Sequence, residues 1–356
     1  MMREQLIDEF QAFGALFVDE PMARHTTFGI GGRADYLLKV RTRAALLGAF
    51  ASASRRRLPH FVLGSGSNIL VGDEGLRGLV IENEARAVEG PLDRADGSVA
   101  FRVDSGASFA SLARRLCRAG YLGLEWAVGI PGTLGGAVVY NAGAYGGCLA
   151  DVLRTVEVAG QAGQVDVFPA AALSLEYRGS GFTRGLFHDR AILSVELRLL
   201  RGDAEAIMQR VAELDRKRTA AQPPGRNAGS IFKNPSGKPA WWYIDQVGLR
   251  GARAGEAEIS GKHANFFMNS GRARAADVKS LMDAAVVRVL ERFGVELVPE
   301  VALVGEGFES ASPATLHCGH GRGGGPAGGD TREEREGNST PPPPSTGDQT
   351  NGGGRL

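Results

Sequence analysis

The sequence predicts an α+β fold in two parts followed by a low-complexity tail, and three observations predict it. A β-α-β opening gives way to a series of apolar strand-like runs with one clear helix among them, which is not the regular alternation of a parallel α/β winding. A Pro223-Pro224-Gly225 break follows a long helix with a basic last turn, the usual punctuation of a domain boundary. Two glycine-rich loops interrupt the first part where a strand should simply turn.

Taken in order, residues 2–16 read as a short amphipathic helix, with Leu6, Phe10 and Phe13 at helical spacing, inside an N-terminal segment 1–20. Residues 35–40 read as a strand, 43–54 as an Ala/Leu-rich helix, and 58–63 as a strand that runs into the first glycine loop. Strands follow at 79–81, 99–103, 155–158, 165–168 and 191–197, with a helix at 108–119, giving a mixed sheet. The helix 204–218 closes this part, which spans 21–222 as two subdomains divided near residue 72. Beyond the break, 241–247 and 276–293 read as helices and 295–298 and 301–304 as strands, a small α/β domain over 223–305. After Phe308 the only large apolar residues are Leu316 and Leu356, so 306–356 reads as a disordered tail. His317, Cys318 and His320 lie there without a further cysteine pair to complete a site, so no metal is expected.

Composition narrows the function classes. Hydrophobic content of 43% and charged content of 23% are ordinary for a soluble globular chain. A net charge of +1 supplies no field for nucleic acid or an acidic membrane surface. Cys117, Cys148 and Cys318 are too few for a disulfide framework. The first ten residues lack the apolar stretch of a secretory signal, and no run approaches the roughly 20 apolar residues of a membrane span. A cytoplasmic protein with a small-molecule substrate and no obligate protein partner is expected.

The glycine loops carry the first functional signal. One is Leu63-Gly64-Ser65-Gly66-Ser67-Asn68-Ile69-Leu70. The other is Gly129-Ile130-Pro131-Gly132-Thr133-Leu134-Gly135-Gly136, followed by Tyr140-Asn141-Ala142-Gly143-Ala144. Bare backbone lets N–H groups approach a phosphate or a flat ring closely. Neither loop has the lysine of a P-loop, and neither opens a helix with the Rossmann spacing.

Further local patterns stand in a fixed order around them. His25-Thr26-Thr27-Phe28-Gly29-Ile30-Gly31-Gly32-Arg33-Ala34-Asp35 precedes the loops. Tyr177-Arg178-Gly179-Ser180-Gly181-Phe182, Ala228-Gly229-Ser230-Ile231-Phe232-Lys233-Asn234-Pro235 and Pro299-Glu300-Val301 follow. Over residues ~20–304 this arrangement resembles the UDP-N-acetylenolpyruvoylglucosamine reductase (MurB) family. The short link between Tyr145 and Tyr177 looks like its type II branch. The chain departs from the family pattern at Gly29, where a basic residue is common, and at Glu256 and Glu258, where the family often has Gly-Gly-Ala.

The resemblance implies an FAD-binding domain of the vanillyl-alcohol-oxidase (PCMH) type plus a smaller C-terminal substrate domain. It implies an oxidoreductase acting on a CH–CH group, which takes hydride from NADPH through FAD to an enolpyruvyl ether of UDP-N-acetylglucosamine. The implied cofactor contacts are Gly64, Ser65, Gly66, Ser67, Asn68 and Ile69; Gly129, Ile130, Pro131, Gly132, Thr133, Gly135 and Gly136; and Asn141, Gly143 and Ala144.

Three residues are implied as catalytic. Arg178 brings a planar fixed cation suited to a carboxylate, against the plainer reading of a surface arginine in a turn. Ser230 is implied as the proton donor to C2, against a turn or N-cap serine. A hydroxyl is a weak acid, so Ser230 needs polarising neighbours; it sits in no Gly-x-Ser-x-Gly elbow. Glu300 lies between two apolar runs, where a carboxylate must be paired or protonated, against a strand-edge ion pair. Arg226, Lys233, Asn234 and Lys262 are candidate substrate contacts, with solvated surface charge the competing reading. Tyr140 and Tyr145 suit either ligand or core packing, and His263 reads as structural. Another flavin oxidoreductase of the same fold gives no reason for Ser230 and Glu300 together, and a module that stores flavin without turnover predicts a bound flavin with no NADPH oxidation when substrate is added.

Overall fold

The N-terminal helix stops sooner than its spacing suggests. In the computed structural model, which describes residues 2–308, the helix is Met2–Gln11 and the next element is a strand, Ala15–Pro21. The helical spacing of Leu6, Phe10 and Phe13 ends at Gly14, and the following Ala-Leu-Phe-Val run has strand character. That strand pairs antiparallel with Arg33–Val40. Leu6, Phe13 and Leu16 close over a core that contains Phe10, Leu46, Phe50 and Ile81.

The first sheet runs, in spatial order, Ala15–Pro21, Arg33–Val40, Leu76–Asn83 and His60–Leu63. Its inner pairings are parallel, as the β-α-β opening requires. The crossover helix Arg43–Arg55 is capped by Thr42, whose Oγ1 accepts from Ala45 N, and buries Leu46, Ala49 and Phe50. Because Leu76–Asn83 pairs with both Arg33–Val40 and His60–Leu63, the change of sheet falls at 84–87 rather than near 72.

The second sheet has six strands and is antiparallel throughout rather than mixed. Arg190–Arg201 lies at its centre between Leu153–Gly160 and Val99–Asp104. Helix Phe109–Arg118, capped by Ser108, packs Leu112 and Leu116 into a core with Phe101, Val195 and Leu197. Helix Ala204–Ala221 adds Ile207 and Val211 to the same core.

Past the Pro-Pro break come helices Ala240–Gln246 and Ala275–Phe293 and a small sheet of Arg253–Ala254, Ala257–Ile259 and Phe267–Asn269. Residues 295–298 form no strand, although they are apolar. They join no ladder among the described residues: Val298 is exposed, its carbonyl accepts from Lys233 N at 2.9 Å, and the adjoining contact is an isolated bridge between Phe232 and Pro299. The strand Ala302–Val304 forms, and it pairs in parallel with Ile69–Val71, directly after the first glycine loop. Phe28, Ile30 and Leu70 share one core with Ile231, Phe267, Leu281 and Val289, so the C-terminal part is built onto the N-terminal one. Glu306 and Gly307, which the sequence placed in the tail, hydrogen-bond to Asp73, Glu74 and Gly75. Residues 309–356, with His317, Cys318 and His320, lie outside the described residues.

Asp73 makes a second long-range tie. Its carboxylate accepts from Ala275 N at 2.9 Å and Ala276 N at 3.1 Å, capping helix Ala275–Phe293 from more than 200 residues away. Asp73→Ala removes the only acceptor at those two amides among the described residues. An N-cap is worth about 0.5–2 kcal/mol, so the variant is expected to unfold about 1 kcal/mol more easily. Denaturant titration checks this, and an unchanged midpoint would count against the tie.

Candidate active site

The two glycine loops abut and together line one cavity of about 670 Å³, within the ~300–1,000 Å³ common for ligand sites. One wall is 64–69; the other is 130–133 with Gly135, Gly136, Gly143 and Ala144. The first loop is long because its flanking strands, His60–Leu63 and Ile69–Val71, belong to different sheets. Gly66 sits at φ +62, and a Cβ there would collide with the His25 carbonyl. Thr27 N donates to Gly66 O at 3.0 Å, so the His25–Asp35 motif forms the back of this wall. A Cβ on Gly64 would stand 2.5 Å from Thr133 Oγ1, which shows how closely the two loops abut. Exposed backbone flanked by the hydroxyls of Ser65, Ser67 and Thr133 is the donor set a diphosphate and a flat ring require. The residues present therefore fit FAD.

Arg178, Ser230 and Glu300, from three separate segments, line the same cavity. Arg178 is at the tip of a tight hairpin in which Glu176 and Gly179 exchange backbone hydrogen bonds of 3.0 and 3.2 Å. Its φ is +54, a costly conformation for a residue with a Cβ. Its Nε lies 3.2 Å from Glu300 Oε1, an ion-pair distance. The N–H is misaligned for a hydrogen bond, and this buried Nε has no hydrogen-bond partner among the described residues.

Glu300 is held through its backbone. Its N–H donates to Ile231 O at 2.8 Å, and its carbonyl accepts from Asn68 Nδ2 at 3.1 Å. Ala302 N then donates to Asn68 O at 3.0 Å. The carboxylate thus hangs between the first glycine loop and the Ser230 segment, with its side chain 14% exposed. Burial pushes its pKa up, while Arg178 and then Lys233 pull it back toward the ionised form.

That direction has a consequence for stability. A carboxyl whose folded pKa is raised stabilises the fold fully below its unfolded pKa, and this is lost as pH rises through the folded value. Glu300→Gln stays neutral, so its melting temperature is expected to track the parent's near about pH 5 and to gain on it toward about pH 8. A constant difference across that range would mean Glu300 is not desolvated.

Ser230 follows Ala228-Gly229 in a turn shaped by Asn227, whose Oδ1 accepts from Gly229 N at 2.9 Å. Thr27 Oγ1 donates to Asn227 O at 2.7 Å and ties this turn to the back of the cofactor wall. Ser230 Oγ makes no hydrogen bond with any described residue, so the polarising neighbour that a weak acid needs is not a bonded side chain.

Several expected contacts lie elsewhere. Gly129 is absent from the cavity lining and packs toward Arg218 instead. Asn141 is also absent, and its buried amide bonds backbone groups on two loops. The four candidate substrate contacts do not line the cavity. Lys262 Nζ donates to Thr219 O and Gln222 O at the end of helix Ala204–Ala221. Asn234 Oδ1 accepts from Ala240 N at a helix start, and Arg226 donates to Gly271 O. The charge of Lys233 draws Glu300 toward its ionised form. The departures from the family pattern have local partners. Glu256 accepts from Arg272 N and Glu258 pairs with Arg253, while a side chain at Gly29 would meet Arg226.

Arg218 is the residue that sequence reasoning missed. It lines the cavity, makes no ion pair or side-chain hydrogen bond with a described residue, and has its pKa lowered chiefly by burial. Its signal was the basic last turn before Pro223, which read only as a helix terminus. Tyr140 also lines the cavity; burial raises its pKa, against a smaller lowering pull from the Asn68 side chain.

Comparison with known proteins agrees with this geometry. Residues 34–167 match the family model of an FAD binding domain, and residues 220–304 that of the UDP-N-acetylenolpyruvoylglucosamine reductase C-terminal domain. The chain is 40% identical over 311 residues to UDP-N-acetylenolpyruvoylglucosamine reductase of Desulforamulus reducens, covering 86% of this chain and 100% of that one. It is 38% identical over 292 residues to the Chloroflexus aurantiacus protein of the same name, covering 81% and 97%. The crystal structure of UDP-N-acetylenolpyruvylglucosamine reductase (MurB) from Thermus caldophilus superposes with a TM-score of 0.66 at 37% identity, covering 81% of this chain and 98% of that one. Among the described residues, no helix is long and apolar enough to cross a membrane.

Proposed function

The chain belongs to the UDP-N-acetylenolpyruvoylglucosamine reductase family, and from that premise we propose the finer reading of its activity. It reduces the enolpyruvyl ether of UDP-N-acetylglucosamine to the D-lactyl ether, UDP-N-acetylmuramate, with NADPH as the source of hydride, in the cytoplasmic synthesis of peptidoglycan precursors. The observation that carries this reading is the meeting of Arg178, Glu300 and Ser230 between two bare cofactor loops. Residues 64–69 and 130–136 would hold FAD, which when bound would supply the hydride chemistry.

What remains for the protein is to receive charge and deliver one proton. Hydride arriving at C3 leaves negative charge on C2 and its carboxylate. Arg178 offers a fixed planar cation for that carboxylate, and preorganised charge of this kind is a large catalytic term. Ser230 delivers the proton to C2, completing the addition of hydride and proton across the double bond. Glu300, whose burial favours its neutral form, stands against Arg178 without fully neutralising it. Arg218 supplies a further cation for an acidic substrate. Residues 223–305 act as the substrate domain by contributing Ser230 and Glu300.

Turnover tests the reading. With NADPH and the enolpyruvyl substrate, the purified protein is expected to yield a product heavier by two hydrogens, with NADPH consumed in equal amount. NADPH consumption that does not respond to the substrate would contradict it.

A further inference from the structure

Asn141 lies in the glycine-rich stretch that the sequence assigns to the cofactor, yet its side chain serves a different group. It is 7% exposed and has φ +40. Its Nδ2 donates to Glu176 O at 2.9 Å, and its Oδ1 accepts from Ala150 N at 3.0 Å. Glu176 begins the hairpin that carries Arg178. On the other side of that hairpin, Ser180 is fully buried and its Oγ donates to Val139 O at 2.6 Å. The same Oγ accepts from Phe182 N at 3.1 Å. Both stems of the hairpin are therefore fastened to residues 139–141, at the end of the short helix Leu134–Val139. That helix begins at Thr133, in the second cofactor loop.

The fastening answers a physical need. Arg178 occupies a left-handed backbone conformation, and such a conformation persists only when its surroundings over-determine it. Its Nε is also buried without a hydrogen-bond partner among the described residues, so the ion pair with Glu300 is what holds the side chain from its own end. The backbone must share the hold: Thr183 and Arg184 bond within residues 174–184, and the side chains that tie the hairpin to residues 139–141 are Asn141 and Ser180.

We propose that Asn141 and Ser180 are positioning residues that fix the Arg178 hairpin to the end of the second cofactor loop, so that the guanidinium is aligned where charge develops on the substrate. This rests on the reading of Arg178 given above. A displacement of about 1 Å in a reacting constellation can cost about 100-fold, so the hairpin has little room to drift.

The test uses the flavin-loaded full chain and measures the two half-reactions separately. Ser180→Ala is nearly isosteric and removes the donor to Val139 O together with the acceptor of Phe182 N. Asn141→Asp keeps the acceptor for Ala150 N and removes the donor to Glu176. Each is expected to slow flavin reoxidation by the enolpyruvyl substrate about 10- to 100-fold, with flavin retention and NADPH reduction within about twofold of the parent. Placed in an Arg178→Ala background, neither is expected to slow reoxidation further, because each acts through Arg178. The proposal is overturned if either variant loses flavin or slows both half-reactions equally, as a general scaffold or a flavin contact would. It is also overturned if the two effects add to that of Arg178→Ala. Ser180→Ala at the parent rate with Arg178→Ala slow defeats this inference alone, whereas Arg178→Ala at the parent rate defeats the reading beneath it.

Discussion

Ser230→Ala is expected to accept hydride from NADPH at the parent rate and to reoxidise with the enolpyruvyl substrate about 10²- to 10⁴-fold more slowly, the usual range for a lost general acid. The two half-reactions make different demands. Reducing the flavin needs the walls 64–69 and 130–136 but no proton at C2 of the substrate. Returning electrons to the substrate needs that proton. Alanine removes the hydroxyl and disturbs little else, because Ser230 Oγ bonds no described residue and the turn is held by Asn227 and Thr27. Ser230→Cys retains a group that can donate a proton and is expected to fall between the two. Stopped-flow absorbance of the flavin separates the steps. Equal reoxidation by Ser230→Ala and the parent would make Ser230 a turn residue only.

Arg178→Ala is the second large effect. Loss of one group aimed at developing negative charge typically costs about 10²–10³ in rate, and this loss is expected in reoxidation. Arg178→Lys restores the charge but not the planar fork, so it should recover only part of the rate. The variant also removes the main cation opposing the desolvation of Glu300, so the Glu300 pKa should move further up. The pH profile of reoxidation reads that shift, and a profile unchanged from the parent would separate the two residues functionally.

What the sequence disclosed and what it concealed divide along a physical line. The glycine loops were legible because a bare backbone is a local property, written in consecutive residues. Helices Arg43–Arg55 and Phe109–Arg118 were legible for the same reason, since a helix is written in consecutive residues. The pairing of Ala302–Val304 with Ile69–Val71 was not, because parallel partners leave no local mark of each other. Residues 295–298 show the converse: an apolar run reads as a strand, yet a strand needs a neighbour to bond. The candidate catalytic residues were legible through the order of their motifs, but side-chain direction was not. Lys262 and Asn234 looked like ligand contacts and instead hold helix ends, while Arg218 looked like a helix end and lines the cavity. Asp73 capping a helix more than 200 residues away left no trace in the sequence near either partner.

The central claim is that this cavity passes electrons to an enolpyruvyl carbon and supplies the proton that follows. Anaerobic single-turnover absorbance tests it most directly. The flavin-loaded protein is bleached with stoichiometric NADPH, and the enolpyruvyl ether of UDP-N-acetylglucosamine is then added without oxygen. The oxidised flavin band is expected to return in full, with one D-lactyl product formed per flavin. A flavin that stays bleached until oxygen is admitted would contradict it.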